Sequence, residues 1–588
     1  MSQLRSAPFQ PRLVAGSFLL LLAGIAPAVA VDEDRAAASL MSADAVAYAE
    51  LTNTGDLLAH ALDHEFGKRI QQIAPLKQAL QSKQFIQGRL MLSLVEIGLG
   101  STWRQASEDF TAGGAYISVD AGGDSILLVN TKSGEWLEEF RGKLMALARG
   151  QAKRDNKEDP FKETSHRDML VIQAQQVWLG YVGDWLIVTQ KEKSCQEVID
   201  RFLDGADKSL ADNPRFQAAK KDAPENLAWA FVDVEKVRGS DDNPQLKFTD
   251  NILAEILFGG LLDVARNTPY ATSNVQIEGR NLTWSVNAPF NIDWSGEDRK
   301  HFFGEKGSGK APPRLAVKRH LATIAAHRDM SQAWLRSGDL MTDKAVDDLA
   351  QADTTLSVFF AGKDFGEDIL GTLKPDIQLV IARQDFSELD LKPTIKLPAF
   401  ALVSNLRDPE VMKPELRRLF LSFIGFLNVV GAMEGNSQLD FDIENTEDMM
   451  LLTSKFVPVK GKDDERAKEA PIQFNFTPAI AFKGDRCVIS SSSAFAAELA
   501  NAKLVDGTQP SNTTVAANGR QIAEILRENR ESMVAQNMLQ DGHTRKEAEA
   551  QIDGILLIVD VIQRADLRLV PAEGSIGLEL QVELSEGK

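Results

Sequence analysis

Alternating hydrophobic and polar residues recur along the chain and predict short β-strands, each followed by a segment with helical spacing. The alternation is present at residues 45–51 and 321–327. It is also present at the beginning of two longer segments, residues 125–147 and 399–427, which continue with helical spacing. Residues 178–190 and 479–490 each contain a Gly-Asp pair and predict β-hairpins, because glycine readily adopts turn conformations. The order of predicted strands and helices is therefore similar in the two halves of the chain.

This repeated order predicts a domain duplication, with a charged insert at residues 149–168 in one half and 460–470 in the other. Each half is expected to be an α+β domain with a mainly antiparallel sheet and helices packed on one face. Two unrelated α+β domains are the alternative. The predicted boundaries are a signal peptide at 1–30, a first domain at 31–292, a Gly/Lys/Pro-rich linker at 293–316 and a second domain at 317–588.

The first thirty residues have the composition of a secretory signal peptide. Arg5 and Arg12 precede an apolar stretch at residues 13–26, and the segment ends in an Ala-Val-Ala pattern at residues 28–30. The apolar stretch is shorter than the ~20 residues that a membrane-spanning helix needs. We therefore predict an exported protein, periplasmic or extracellular, with no integral membrane span once the signal is removed; a retained anchor is the alternative.

Charge and cysteine content narrow the possible partners. The chain has 588 residues and a formal net charge of −19, which becomes −21 without residues 1–30 because these hold two basic and no acidic residues. Such acidity argues against nucleic acid or anionic lipid as the main partner. Only Cys195 and Cys487 are present, which excludes a cysteine-rich metal site or disulfide scaffold. Nucleotide cofactors are scarce outside the cytoplasm, and we expect no cofactor.

His60 and His64 are the candidate ligands for a zinc ion in the sequence, and a third ligand could come from acids such as Glu135, Glu138 or Glu139. Two histidines four residues apart lie on one face of a helix and can reach the same zinc ion, and Asp63 between them could act as a base. The corresponding helix of the second half carries no such pair. Histidines on a solvated helix face are the simpler interpretation, so no metal site and no catalytic residue is assigned.

Other chemical motifs are incomplete. Gly304, Gly309 and Lys310 approach a phosphate-binding loop, but Ala311 replaces the required Ser or Thr and two prolines follow. Alternate acids at residues 440, 442 and 444 are typical of a solvated strand rather than a calcium loop. The serines at 490–493 lack the Gly-x-Ser-x-Gly pattern and fit a helix cap or a loop. Cys487 fits a core position.

The segment Ser-Leu-Ala-Asp-Asn-Pro-Arg-Phe at residues 209–216, with the strand at 227–233, resembles a family of secreted bacterial proteins of unknown function, common in planctomycete-type envelopes. The resemblance covers about residues 40–290 and more weakly 320–585. It implies export and carries no catalytic residues. Ser209 and Asn213 are expected to mark the starts of helices.

The function expected from the sequence is that of an exported cell-envelope protein that binds a partner or supports an assembly without catalysis. The partner would be a protein or an apolar ligand. Two alternatives remain: a metal-dependent hydrolase that uses His60 and His64, and a carrier for lipid or another apolar molecule held between sheet and helices.

Overall fold

The computed structural model describes residues 36–52, 96, 100, 102–205, 208–221, 223, 227–238, 252–360, 362–387, 392–433, 438–457, 469–470, 472–505 and 510–585. The signal peptide and the pair His60 and His64 lie outside these residues. Contacts between Cα atoms divide the chain into two compact units. Unit 1 comprises residues 1–241 and 269–277, and unit 2 comprises residues 242–268 and 278–586.

Unit 1 is built on an antiparallel sheet. Its strands are β1 (Ala45–Leu51), β2 (Gly114–Asp120), β3 (Ser125–Asn130), β4 (Phe161–His166), β5 (Met169–Ala174), β6 (Val177–Val182), β7 (Trp185–Thr189), β8 (Ala228–Val232) and β9 (Ala271–Glu278). Their order across the sheet is β9-β8-β1-β2-β3-β7-β6-β5-β4. The predicted Gly-Asp hairpin is confirmed as β6 and β7, with Gly183 at φ 54°.

Helices pack on both faces of this sheet. They are α1 (Ala37–Leu40), α2 (Trp103–Phe110), α3 (Gly134–Arg154), α4 (Glu192–Asp204), α5 (Pro214–Lys221) and α6 (Val234–Arg238). In β3, Leu128 lies in the cluster that contains Cys195 and Val198 of α4, whereas its neighbour Val129 lies in the cluster that contains Phe140 of α3. Consecutive strand residues point to opposite faces. The prediction of helices on one face is therefore wrong for unit 1.

The main strands of unit 2 also pair in antiparallel fashion. The strands described are β10 (Asn281–Pro289), β11 (His320–His327), β12 (Leu373–Ala382), β13 (Lys392–Pro393), β14 (Ala399–Leu406), β15 (Leu439–Asn445), β16 (Met449–Phe456), β17 (Glu469–Ala470), β18 (Ala479–Lys483), β19 (Arg486–Ser490), β20 (Thr513–Asn518), β21 (Ile562–Ala572) and β22 (Ser575–Leu584). The order across the main sheet is β10-β22-β21-β20-β11-β12-β14-β19-β18-β16-β15. Strands β13 and β17 form a separate short parallel pair.

Helices also pack on both faces of the strands of unit 2. The helices described are α7 (Ile252–Asn267), α8 (Lys300–Phe303), α9 (Met330–Leu335), α10 (Ser337–Leu340), α11 (Asp343–Phe359), α12 (Pro409–Met433), α13 (Ser493–Asn501), α14 (Gly519–Glu528), α15 (Arg530–Asp541) and α16 (Arg545–Val561). Phe495 of α13 packs with Val488, while Phe420 of α12 packs with Cys487 on the other face. The one-face prediction is wrong here for the same reason.

Residues 293–316, predicted to be a solvated linker, are packed into unit 2. The side chains of Phe302 and Phe303 are fully buried. Burial of aromatic rings is favourable because it removes a large apolar surface from water, so this segment packs instead of forming a solvated hinge. Arg299 is also buried and pairs with Glu255 and Asp263 of α7, at 3.1 Å and 2.7 Å. This buried ion network ties the segment to α7, and unit 2 accordingly begins before the predicted boundary.

The charged segment at residues 149–168, predicted to be a coil-like insert, is also regular structure. Helix α3 continues to Arg154, and β4 pairs with β5 in register from Phe161 to His166. Most β4 side chains face water, which accounts for their polar character. The turn uses Arg167 and Asp168 at φ 51° and 66°, conformations that glycine more commonly supplies.

Candidate functional site: an apolar patch on unit 2

The incomplete motifs have structural roles where the structure describes them. Gly304 has φ 73°, and a Cβ at Gly309 would lie 2.4 Å from Cδ2 of His327. The Gly309 amide donates to the Phe303 carbonyl at 2.8 Å. These glycines therefore allow close packing against His327. No β-strand leads into this turn, as a phosphate-binding loop requires; the short helix α8 precedes it instead.

The acidic and serine motifs are likewise explained by their surroundings. Asp440, Asp442 and Glu444 are exposed on β15, in agreement with a solvated strand face. The Ser491 hydroxyl accepts a hydrogen bond from the Phe400 amide at 2.9 Å. Ser492 is at the N-cap position of α13, but its side chain makes no capping bond, so the capping prediction is only positionally correct.

Both cysteines are buried free thiols. Cys195 lies in the core of unit 1, and Cys487 lies in the core of unit 2, as predicted for the latter. Burial raises the pKa of each thiol to about 12. A thiol with such a pKa is not ionised at neutral pH and is a poor nucleophile or metal ligand. Among the described residues, no group of three His, Cys, Asp or Glu side chains is placed to hold a metal ion.

The Ser-Leu-Ala-Asp-Asn-Pro-Arg-Phe segment also has a structural role. Ser209 and Asp212 form a capping box, and Asn213 precedes α5. Arg215 pairs with the buried carboxylate of Asp233 at 3.1 Å. Phe216 packs edge-on against the aromatic rings of β1 and β8. The segment thus joins α5 to the sheet of unit 1.

Helix α12 carries an unusual solvent-facing surface. Its inner stripe, with Met412, Phe420 and Ile424, is buried against the sheet of unit 2. The solvent-facing stripe of such a helix is normally polar. The N-terminal part of this stripe in α12 does contain Arg417 and Arg418. From residue 423 onward, the exposed large side chains are all apolar: Phe423, Phe426, Val429, Val430 and Met433. We call these five residues the α12 patch.

The polar groups near this patch are satisfied within the protein. The Ser422 hydroxyl donates to the Arg418 carbonyl at 3.1 Å, as it can within one helical turn. The Asn428 amide donates to the Leu439 carbonyl at 2.8 Å, and its oxygen accepts from the Leu439 amide at 2.6 Å. Asn428 thereby fixes α12 to β15. The second half of α12 can thus be placed in an apolar medium without stranding these groups.

Exposed apolar side chains continue over the same face of the sheet. Leu402 of β14 is directly opposite Ile489 of β19, and both are exposed. Ile489 shares its face with Cys487, which packs under α12. Phe400 and Phe441 are also exposed on this face. Isolated exposed apolar residues are common, but a set on one face of one unit is typical of a binding surface.

By length and composition, α12 is the one helix of the described residues that could cross a membrane. Buried core helices and N-terminal signal sequences meet the same criterion, but α12 is neither, since little of its apolar window is buried. The feature that could have revealed the patch from sequence is the absence of any charged residue from 419 to 433.

Comparison with known proteins adds little. No protein-family model matches the chain, and no curated protein matches it. Among solved structures it is similar to TP0453 in crystal forms I, III and IV, at 8–11% sequence identity and TM-scores of 0.23–0.24. These matches cover 43–45% of this chain and 79–80% of TP0453. Likeness at this level carries no functional weight.

Proposed function

We propose that this protein is an exported, non-catalytic protein of the cell envelope that attaches to lipid through the α12 patch. The observation that supports this most strongly is the solvent-facing stripe of α12, which is apolar where a water-exposed helix is normally polar. It combines two expectations from the sequence: a protein that acts by binding without catalysis, and a ligand that is a lipid or another apolar molecule.

Lipid fits the patch better than a protein partner because of the charge-free length of α12. Residues 419–433 extend over about 22 Å at 1.5 Å per residue, less than the ~30 Å of a bilayer core. A segment of this length is suited to lying in the interface. Arg417 and Arg418 precede it and could remain among head groups while their alkyl chains contact apolar atoms.

The overall acidity of the protein indicates which lipids to expect. A chain with a net charge of −19 gains nothing from an anionic surface as a whole. Apolar contact must then provide most of the binding free energy. We therefore expect attachment to neutral phospholipid, with little dependence on salt.

The predicted duplication is retained in this proposal. Seven consecutive strands of each unit have the same order across the sheet when the short strands β13 and β17 are left out. The order is β1-β2-β3-β7-β6-β5-β4 in unit 1 and β11-β12-β14-β19-β18-β16-β15 in unit 2. In each unit, a long helix follows the third of these strands: α3 in unit 1 and α12 in unit 2. Only α12 has the apolar outer stripe. We infer that one copy keeps a structural helix and the other provides attachment.

Export is supported by the composition of residues 1–30 alone. Cleavage after Ala30 would leave a mature chain that begins Val31-Asp32. Mass spectrometry of the protein recovered from the extracytoplasmic fraction tests this part. A cytoplasmic protein that retains residues 1–30 would contradict it.

The lipid-binding part is tested by flotation of the purified protein with phosphatidylcholine vesicles, at low and high salt. We expect the protein to float with the vesicles under both conditions. Binding only to anionic vesicles at low salt would contradict apolar attachment. Dimerisation through α12 in light scattering, without flotation, would instead indicate a protein interface.

A further inference from the structure

A second feature of unit 2, separate from the α12 patch, is a polar cleft of about 620 Å³. It lies where β12, β14 and the β18–β19 turn meet the C-terminal end of α13, and residues 310–315 form another wall. The lining side chains that matter here are Lys310, Asp376, Gln378, Asn405 and Arg486. Its volume is within the range of small-molecule pockets, about 300–1,000 Å³.

The wall at residues 310–315 is held in place by hydrogen bonds. The Ala311 amide donates to the Ser511 carbonyl at 2.7 Å, and the Gln378 side-chain amide donates to the Pro313 carbonyl at 3.1 Å. Arg314 pairs with Asp566 at 2.9 Å. The cleft is thus preformed, which reduces the entropy that a ligand must overcome on binding.

The acidic side of the cleft is Asp376 on β12. The Asn405 side-chain amide donates to Oδ2 of Asp376 at 2.6 Å, so one carboxylate oxygen is fixed in position. No described Lys or Arg side chain forms an ion pair with this half-buried carboxylate. Burial raises the pKa of the Asp376 carboxyl, although the hydrogen bond from Asn405 and the charge of Lys374 act in the opposite direction.

The basic side of the cleft contains Arg486 and Lys310. Arg486 Nη1 donates to the carbonyls of Leu499, Ala500 and Ala502, at 2.9, 3.1 and 3.0 Å, at the C-terminal end of α13. Neither Arg486 nor Lys310 forms an ion pair with a described carboxylate. The other charged groups of the cleft are matched internally, since Asp485 pairs with a lysine at 2.6 Å and Lys483 with an aspartate at 2.8 Å.

One cavity thus holds a carboxylate and two cations, none of which forms an ion pair with a described side chain. Asp376 and Arg486 are partly buried and Lys310 is exposed, so a ligand that carries both signs would form an ion pair on each side of the cleft. We propose that this cleft binds a small zwitterion, a free amino acid or a short peptide. Its ammonium group would contact Asp376, and its carboxylate would contact Arg486 and Lys310, because guanidinium groups match carboxylates geometrically.

The proposal is tested by isothermal titration calorimetry of the full chain with alanine, dialanine and trialanine. Acetylated trialanine lacks the ammonium group, and trialanine amide lacks the carboxylate. We expect at least one of the three zwitterions to bind, and both blocked peptides to bind at least about tenfold more weakly. Absence of binding by all three zwitterions, or equal binding of the blocked peptides, would overturn the proposal.

Variants assign each charge to its residue. In Asp376→Asn, free and acetylated trialanine should bind with equal, weakened affinity, because the group that recognises the ammonium is gone. In Lys310→Ala, the difference between trialanine and its amide should decrease. Asp440→Asn, on exposed β15, is the matched control and should bind as the wild type does. Unchanged preference for free trialanine in a folded Asp376→Asn variant would refute the assignment. Vesicle flotation reports on the α12 patch separately.

Discussion

Truncation of two phenylalanines in the α12 patch should weaken attachment to lipid strongly while leaving the fold intact. Phe423 and Phe426 are 45% and 47% exposed in the free protein, so about half of each side chain is available to a bilayer. Full burial of such a side chain contributes about 1.5–3 kcal/mol, and half of that is about 1 kcal/mol per residue. The double variant Phe423→Ala/Phe426→Ala should therefore lose about 2 kcal/mol, or roughly 30-fold in the partition coefficient.

The assay is vesicle flotation over a range of lipid concentrations, from which a partition coefficient is obtained. The matched control is Leu539→Ala/Met538→Ala on α15, which removes exposed apolar side chains from a different helix. The control should retain wild-type partitioning. By the same arithmetic, the half of each phenylalanine that is buried in the protein contributes about 1 kcal/mol to folding, so the double variant should unfold about 2 kcal/mol more easily than the wild type, and partitioning is compared under conditions in which both variants are folded. Equal partitioning of the two variants would refute the reasoning.

Three further predictions concern unit 2. Gly309→Ala should lower the free energy of unfolding by about 1–3 kcal/mol in urea titrations, because its Cβ would overlap His327, whereas Gly142→Ala, with open space around it, should not destabilise. Burial lowers the pKa of His320 in the folded protein. As the pH falls, this histidine is therefore protonated in the unfolded chain before it is protonated in the folded protein. The free energy of unfolding should then fall as the pH decreases below about 6.5. In thermal melts at pH 7.5 and 5.5, the His320→Gln variant should lose less stability between the two pH values than the wild type does. An equal loss in both proteins would contradict this prediction. Arg299→Met removes the cation that pairs with the buried acids Glu255 and Asp263 and should lower the free energy of unfolding by about 3–5 kcal/mol in the same urea titrations; a negligible loss would contradict a buried ion network.

Local patterns in the sequence were sufficient to predict many strands and turns. The hairpins around Gly183 and Gly484 are confirmed, since both glycines have positive φ between short apolar strands. The strand β4 was missed because its side chains face water and its turn lacks glycine. Hydrophobic periodicity reports burial of one face and does not detect a solvated edge strand.

The packing of helices on both faces could have been predicted and was not. Strands such as β18, Ala479–Lys483, have nearly continuous buried apolar residues, which is typical of strands covered on both sides. The buried aromatic pair Phe302 and Phe303 likewise argued against a solvated linker. The linker prediction relied instead on the glycine and lysine content of the segment.

The candidate site was less accessible to sequence reasoning. The charge-free segment of α12 is visible in the sequence, but only the structure shows that Phe423 and Val429 face outward while Ile424 is buried. The polar cleft brings Asp376 and Arg486 together from positions 110 residues apart through the pairing of β12, β14 and β19. Such proximity depends on strand order, which local patterns do not determine.

The most direct measurement of whether α12 enters lipid is the fluorescence of an environment-sensitive probe at Val429→Cys. Val429 is 62% exposed, and both native cysteines are buried, so labelling should be confined to the introduced thiol. On addition of phosphatidylcholine vesicles, we predict a blue shift and quenching by quenchers attached to the acyl chains. A probe at Leu539→Cys, on α15, should show neither. An unchanged spectrum at position 429 while the protein floats with the vesicles would contradict attachment through α12.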